Sequence, residues 1–419
     1  MKTKAIRLHG TKDLRVEELE LPEIKEDEIL AKMMTDSVCM STYKLVQQGS
    51  THKRAPDDLS KKPVIIGHEM AGVIISAGAK WKDKYKAGQR FTIQPSLNYN
   101  GTFDTPGYSY SYFGGDCTYC VIPHEVMELN CLIPIRGESF FQSSLAEPIA
   151  CVIAGYNRMY HTSDANHEHM MGVKPQGNLI IFGACGPMGL AAIDYALQLE
   201  NGPALIVAVD VSEERIARAK TVLTVPDNKQ LVFFNAASSS DVVQDLRNLT
   251  KGAGYDDVFV YAPIQQLIEQ ADKVLATDGC LNFFAGPVDK NLSARINMYN
   301  IHYAKTHYVG FTGSTNADLL DAIRLSDEGR INPTVMLTHI GGLNSVIETT
   351  LNLPKIPGGK KLIYTQIDLP LTAIADFRKL SAKNPLFGKL ADACDRANGC
   401  WSAEAERILL AHYNVDTTK

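Results

Sequence analysis

Cys39 and the tripeptide Gly67-His68-Glu69 offer a thiolate, an imidazole and a carboxylate, the donor types that hold a catalytic zinc ion. Further along, Phe182-Gly183-Ala184-Cys185-Gly186-Pro187-Met188-Gly189 is a glycine-rich turn, and Asp210 follows Gly189 by 21 residues. A glycine-rich turn with an acid at about that distance holds a dinucleotide between strand and helix. A metal site first and a nucleotide site second, in one chain, imply metal-assisted hydride transfer. Neither half alone carries that conclusion.

The turn must reverse tightly, let the backbone approach a pyrophosphate and aim a helix N-terminus at it. Gly186 and Gly189 take the second and third glycine positions of G-x-G-x-x-G, with Pro187 and Met188 between them. Ala184 stands where the first glycine is expected and Gly183 lies one residue early, so a slightly shifted turn is predicted. Asp210 closes the apolar run that starts at Ala204, where a carboxylate can accept both ribose hydroxyls; helix capping is its alternative role. A carboxylate there repels a 2′-phosphate, so NAD(H) is expected over NADP(H), although Arg215 stands close to Asp210.

Residues 1 to about 150 carry short apolar runs, such as Val64-Ile65-Ile66 and Gly72-Val73-Ile74-Ile75, punctuated by Gly and Pro. That rhythm predicts a small barrel or sandwich. From Asn178 the texture alternates. Strand runs at 179–182, 204–210, 231–235, 257–262 and 280–285 are separated by helical stretches at 190–200, 213–223, 240–249 and 265–275. Units of this length predict an α/β domain with a doubly wound parallel sheet. After Phe311 come a helix near 317–328, a turn at Pro357-Gly358-Gly359 and a polar helical tail from Leu371 to Tyr413. The tail's amphipathic helices are expected to pack on the first domain or on another subunit.

The 419 residues, 45% apolar and 21% charged, suit a globular enzyme of two or three domains. A net charge of −5 argues against a nucleic-acid partner. No run reaches the roughly 18 apolar residues of a membrane span. The N-terminus has no apolar h-region, so a cytoplasmic location is expected. Nine cysteines, an odd number without small-scaffold spacing, suit free thiols in a reducing compartment.

Cys39-Met40-Ser41, Gly67-His68-Glu69-Met70-Ala71-Gly72, Glu147-Pro148 and the later glycine turn stand in the order found in zinc-dependent medium-chain dehydrogenases. The chain resembles that family over nearly its whole length, including Gly88-Gln89-Arg90-Phe91, Gly114-Gly115-Asp116 and Gly359-Lys360-Lys361. It is most similar to the polyol and sugar-phosphate branch. The resemblance implies a GroES-like catalytic domain over 1–156 and 311–419, and a Rossmann nucleotide domain over 157–310. It makes Cys39 and His68 ligands of one catalytic zinc, with Glu69 or Glu147 as the third and the other acid close behind. Ser41 corresponds to the family's hydroxyl that takes the alcohol proton. Thr42 and Lys44 replace residues that relatives use to continue that proton route, so the path beyond Ser41 is open. Many relatives hold a second zinc on four close cysteines. None lies between Arg90 and Gly114, and Cys117-Thr118-Tyr119-Cys120 has no second pair, so no structural zinc is expected.

The reaction implied is hydride transfer between NAD(H) and a ketose or polyol phosphate, with L-sorbose 1-phosphate and glucitol 6-phosphate as the expected pair. His52-Lys53-Arg54, Lys61-Lys62 and Lys44 supply cations around the expected substrate loop. Lys44, Lys53 and Arg54 are candidates for the substrate phosphate, a solvated loop being the alternative. Two other readings are an unphosphorylated, sorbitol-type polyol dehydrogenase and a zinc-free quinone or enone reductase. The latter shares the shifted glycine turn but lacks Cys39, His68 and Glu147 as a set. Relatives pair through an edge of the nucleotide sheet, so a homodimer or homotetramer through 280–285 and 308–311 is implied.

Overall fold

A computed structural model describes residues 1–418. The chain forms two compact units, one of Met1–Pro148, Thr315–Asp327 and Leu337–Lys419, the other of Ile149–Ser314 and Glu328–Met336. The expected limit at 156/157 lies eight residues beyond Pro148 and that at 310/311 four before Ser314, and Glu328–Met336, expected in the first domain, falls in the second unit. The first limit falls inside one helix, Phe140–Asn157, whose Pro148 interrupts its hydrogen-bond ladder.

In the second unit, six strands run in the spatial order Gln230–Asn235, Leu205–Asp210, Asn178–Phe182, Tyr255–Val260, Leu275–Phe283 and His307–Val309. Every neighbouring pair is parallel. Numbered along the chain this is 3-2-1-4-5-6, the doubly wound order whose reversal beside the first strand creates a ligand crevice. Tyr255–Val260 is buried along its full length, as a parallel strand covered on both faces must be. Helices begin where caps allow. Ser212 accepts from the Arg215 N–H ahead of Glu213–Val222, and Asp241 from the Gln244 N–H ahead of Val242–Leu249. The fifth strand starts at Leu275, earlier than the predicted 280. Asp278, with φ of 59°, interrupts the apolar run there without ending the strand.

The first unit is built on strand Ile29–Val38, nearly all of it buried. It pairs antiparallel with Met70–Ala77, Tyr119–Ile122 and Lys360–Tyr364 within an eight-stranded sheet. A smaller sheet joins Asp13–Glu20, Lys2–Gly10 and Val64–Ile65. Cys117 and Cys120 lie in the apolar core with Met33, Phe91 and Phe113, and among the described residues no disulfide joins any of the nine cysteines. The tail forms helices Phe377–Leu380, Pro385–Asp395 and Ala403–His412 and belongs to this unit, with Phe377, Leu390, Trp401 and Leu409 buried. Among the described residues no helix is long and apolar enough to cross a membrane.

Candidate metal and nucleotide sites

The central strand Ile29–Val38 delivers Cys39, which caps the N-terminus of helix Met40–Gln48. His68 and Glu69 follow Gly67, whose φ of 92° belongs to glycine. A Cβ on Gly67 would stand 2.8 Å from both the Asp116 nitrogen and an Asp36 carboxylate oxygen, so a larger residue would displace the loop that aims His68. Donor atoms of Cys39, His68 and Glu69 all lie within 4.8 Å of one another. Atoms about 2.0–2.3 Å from a shared zinc ion are at most about 4.6 Å apart. The closeness already suits one ion.

Protonation fits the same conclusion. Burial pushes the His68 pKa down to about 4, which leaves the neutral imidazole that a metal requires. Burial, with the Glu69 and Glu147 carboxylates nearby, pushes the Cys39 thiol up to about 12. The Lys360 ammonium lowers it only in part, so a thiolate at Cys39 needs a metal cation in addition. The donor set therefore fits a zinc ion. The Ser41 hydroxyl donates to the Cys39 Sγ at 2.9 Å and stands 3.2 Å from His68 Nε2. Thr42 Oγ1 is 3.3 Å from His68 Nδ1 and orients the ring from its other side.

Glu69 is held from two directions. The buried Lys360 ammonium donates to both of its carboxylate oxygens and the Ser37 hydroxyl donates to one. Burial raises the Glu69 pKa, but Lys360, His68 and Ser37 outweigh it and the net shift is downward. Lys360 is shifted upward, because Glu69 and the sulfur of Cys39 outweigh its own burial. Glu147 is buried on helix Phe140–Asn157 and is not one of the three donors within 4.8 Å. Its charge still reaches Cys39 and Lys360.

In the other unit, Gly186 precedes helix Pro187–Gln198 in extended conformation, with Pro187 in the first turn and Met188 beside it. Gly183 makes the turn with φ of 73°. A Cβ on Gly189 would come within 2.4 Å of the Ala184 carbonyl oxygen, so only glycine lets the helix sit this close to the turn. Asp210 ends its strand and accepts main-chain N–H bonds from Cys185 at 3.0 Å, Val211 at 2.9 Å and Ser212 at 3.1 Å. The helix that follows is capped by Ser212, not by Asp210. Arg215 approaches the Asp210 carboxylate at 4.0 Å.

Two family profiles match the sequence, "Alcohol dehydrogenase GroES-like domain" over residues 25–131 and "Zinc-binding dehydrogenase" over 187–328. Mannitol-1-phosphate 5-dehydrogenase of Aliivibrio fischeri is 44% identical over 99% of this chain and 98% of its own. L-sorbose 1-phosphate reductase of Klebsiella pneumoniae is 44% identical over 98% of each chain. The chain belongs to the zinc-binding dehydrogenase family. An uncharacterized protein of Escherichia coli, YggP, is 48% identical over 99% of both chains. Among solved structures, 2R,3R-butanediol dehydrogenase of Bacillus subtilis shares the fold, with a TM-score of 0.71 and 24% identity over 87% of this chain and 99% of its own.

In this zinc-binding dehydrogenase the cations singled out in the sequence separate. Arg54 packs over the Tyr108 ring at 5.6 Å and donates to Thr105 Oγ1 at 2.9 Å. The Tyr108 ring lies 5.2 Å from that of His68 and 5.4 Å from that of His52. Burial, then Arg54, Lys53 and Lys44, push the His52 pKa down to about 4. Lys44 is half-buried and close enough to Cys39 for that sulfur to offset part of its burial. Lys53 is exposed and lies over Phe103 at 5.2 Å. Two residues absent from the sequence-based site are Lys360 and Tyr108. Lys360 had a signal, a lysine directly after Gly358-Gly359, but its partner Glu69 lies far away in the chain. Tyr108 had none.

Proposed function

We propose that the chain is an NAD(H)-dependent zinc dehydrogenase of polyol phosphates, reducing a ketose phosphate such as L-sorbose 1-phosphate to glucitol 6-phosphate or the reverse. The observation that carries the phosphate reading is Arg54 on the Tyr108 ring, which also lies against the His68 ring. It favours a dianion held close to the Cys39, His68 and Glu69 donors, with Lys44 as a second cation beside Cys39. The two relatives at 44% identity act, by name, on mannitol 1-phosphate and L-sorbose 1-phosphate, which supports the same substrate class.

Cys39, His68 and either Glu69 or Glu147 would hold one zinc, with no second, structural ion. When bound, zinc supplies Lewis-acid polarisation of the reacting substrate oxygen. Ser41 is suited to take or return the alcohol proton at its Oγ. Thr42 fixes the His68 ring, and Lys360 keeps Glu69 ionised. Asp210 accepts three main-chain bonds of roughly four that a carboxylate can take, which leaves acceptor capacity for a ribose hydroxyl. Gly183, Gly186, Pro187, Met188 and Gly189 would receive the pyrophosphate, and the Asp210 charge favours NAD(H) over NADP(H), with Arg215 moderating the preference. We further place the enzyme in the cytoplasm as a homodimer or homotetramer. The strand suited to pairing is His307–Val309, at the sheet edge; 275–283 is interior, flanked by strands on both sides.

The test is oxidation of NADH by the purified protein with a panel of ketose phosphates and their unphosphorylated ketoses, with and without chelator. Chelator-sensitive turnover confined to phosphorylated ketoses is the expected result. Preference for free ketoses would assign a sorbitol-type enzyme, and chelator-resistant reduction of enones or quinones a zinc-free reductase.

A further inference from the structure

The C-terminal helices bury a charged group that the chemistry above does not use. Glu406, in helix Ala403–His412, is 2% exposed. Its carboxylate accepts the main-chain N–H groups of Phe140 at 2.8 Å and Phe141 at 3.0 Å, and the Tyr364 hydroxyl at 2.9 Å. That hydroxyl in turn accepts from Trp401 Nε1 at 2.7 Å.

The three direct partners, Phe140, Phe141 and Tyr364, stand at the start or end of elements that carry a site residue. Phe140 and Phe141 begin helix Phe140–Asn157, which has no acid of its own in the first turn. The first N–H groups of a helix have no acceptor within it, and its dipole favours an anion there. Glu406 supplies that anion from the far end of the sequence. Two turns further along the same helix stands Glu147. Tyr364 ends strand Lys360–Tyr364, whose first residue is the partner of Glu69. One carboxylate thus ties together the two elements that deliver Glu147 and Lys360.

Docking the tail does not require a buried charge. Phe377, Trp401, Leu409 and Leu410 already bury apolar surface against the unit. A buried ionic group is often no more stabilising than an apolar one of similar size. What a carboxylate adds is direction, because its acceptors fix where the helix start and the strand end lie. Burial pushes its pKa up to about 7, which marks the cost of keeping it there. Both family profiles end at or before residue 328 and so do not include the tail.

We propose that Glu406 is a positioning residue for the metal site, holding helix Phe140–Asn157 and strand Lys360–Tyr364 in the register that sets Glu147 and Lys360 around Cys39, His68 and Glu69. The proposal rests on the zinc-site reading above. It is tested with Glu406→Gln in the full-length enzyme, loaded with zinc for kinetics and with cobalt for visible absorption. Groups bonded directly to metal ligands typically cost about 10–100-fold in activity or metal affinity when changed, and Glu406 acts one step further out, so the lower end of that range applies. A fall of that size in kcat with KM for NADH unchanged, together with a shifted cobalt spectrum, is expected. A variant that loses only thermal stability, with the wild-type cobalt spectrum and kcat, would overturn the proposal. Should Glu406→Gln fail to fold, judged by far-UV circular dichroism, Tyr364→Phe carries the test. It removes one hydroxyl and is expected to shift the same cobalt bands with a smaller fall in kcat; no change in either would overturn the proposal. A Cys39→Ser control keeps the two readings apart, since an unaltered cobalt spectrum there means that the zinc-site reading has failed, not the role of Glu406.

Discussion

Lys360 and Glu69 form an ion pair in which both side chains are almost wholly removed from solvent, at 5% and 1% exposure. Such a pair is fragile in one direction. In the metal-free protein, taking away the cation leaves a buried carboxylate with the Ser37 hydroxyl as its donor, and breaking a buried pair costs about 3–5 kcal/mol. Lys360→Met is expected to lower the urea midpoint accordingly, to raise the Glu69 pKa and to weaken zinc retention in equilibrium dialysis. Lys360→Met with Glu69→Gln should recover part of the stability and none of the metal affinity. Wild-type stability in the single variant would contradict this.

Arg54 and Lys53 are neighbours in sequence with different surroundings. Arg54 lies on Tyr108 and Lys53 on the exposed Phe103. A hydrogen bond to a charged group is worth about 1.5–3 kcal/mol, or roughly 10–100-fold in affinity. Arg54→Ala should lower the ratio of kcat/KM for sorbose 1-phosphate over sorbose by that amount, and Lys53→Ala should lower it less. Equal loss on both substrates in Arg54→Ala would remove Arg54 from phosphate binding.

Asp210→Asn deletes the charge expected to repel a 2′-phosphate. It keeps one acceptor oxygen, enough for the Val211 and Ser212 N–H groups, while losing the one that takes the Cys185 N–H. The kcat/KM ratio of NADH over NADPH is expected to fall about tenfold, equal to about 1.4 kcal/mol. An unchanged ratio would mean that Asp210 serves the turn alone, through Cys185, Val211 and Ser212.

His161, outside the site, is buried with Nε2 3.2 Å from Asp257 and Nδ1 2.9 Å from the Asp278 carbonyl. Burial lowers its pKa, but Asp257 and Asp278 outweigh burial and the folded value is raised. A raised folded value stabilises fully below the unfolded value of about 6.5 and is lost as pH rises through the folded one. Burial of Asp257 raises its own pKa, an effect of the same sign. Urea unfolding free energies from pH 6 to 9 should fall with pH in the wild type more steeply than in His161→Gln. Parallel pH profiles would show that His161 does not titrate on unfolding.

Much of this was legible in the sequence because local chemistry determines it. The parallel strands announce themselves as apolar runs, and Gly186, Gly189 and Asp210 stand at spacings that a strand–turn–helix unit requires. Cys39, His68 and Glu69 are readable as donor types; the positive φ of Gly67 that aims His68 is not. What periodicity could not supply are contacts across the chain: Lys360 on Glu69, Tyr108 between His68 and Arg54, Glu406 on Phe140. Each depends on a tertiary register that no local pattern encodes. The early start of the fifth strand at Leu275 escaped for another reason, since a left-handed Asp278 reads as a turn.

One metal ion is expected to bind at Cys39 and His68, and turnover to depend on it. Metal analysis of the purified protein, beside Cys39→Ser and His68→Ala, tests this most directly. About one zinc per wild-type chain, lost in both variants together with NADH oxidation and removed from the wild type by chelator, is the expected result. A wild type that turns over ketose phosphates with no bound metal, or variants that retain both the ion and the activity, would contradict it.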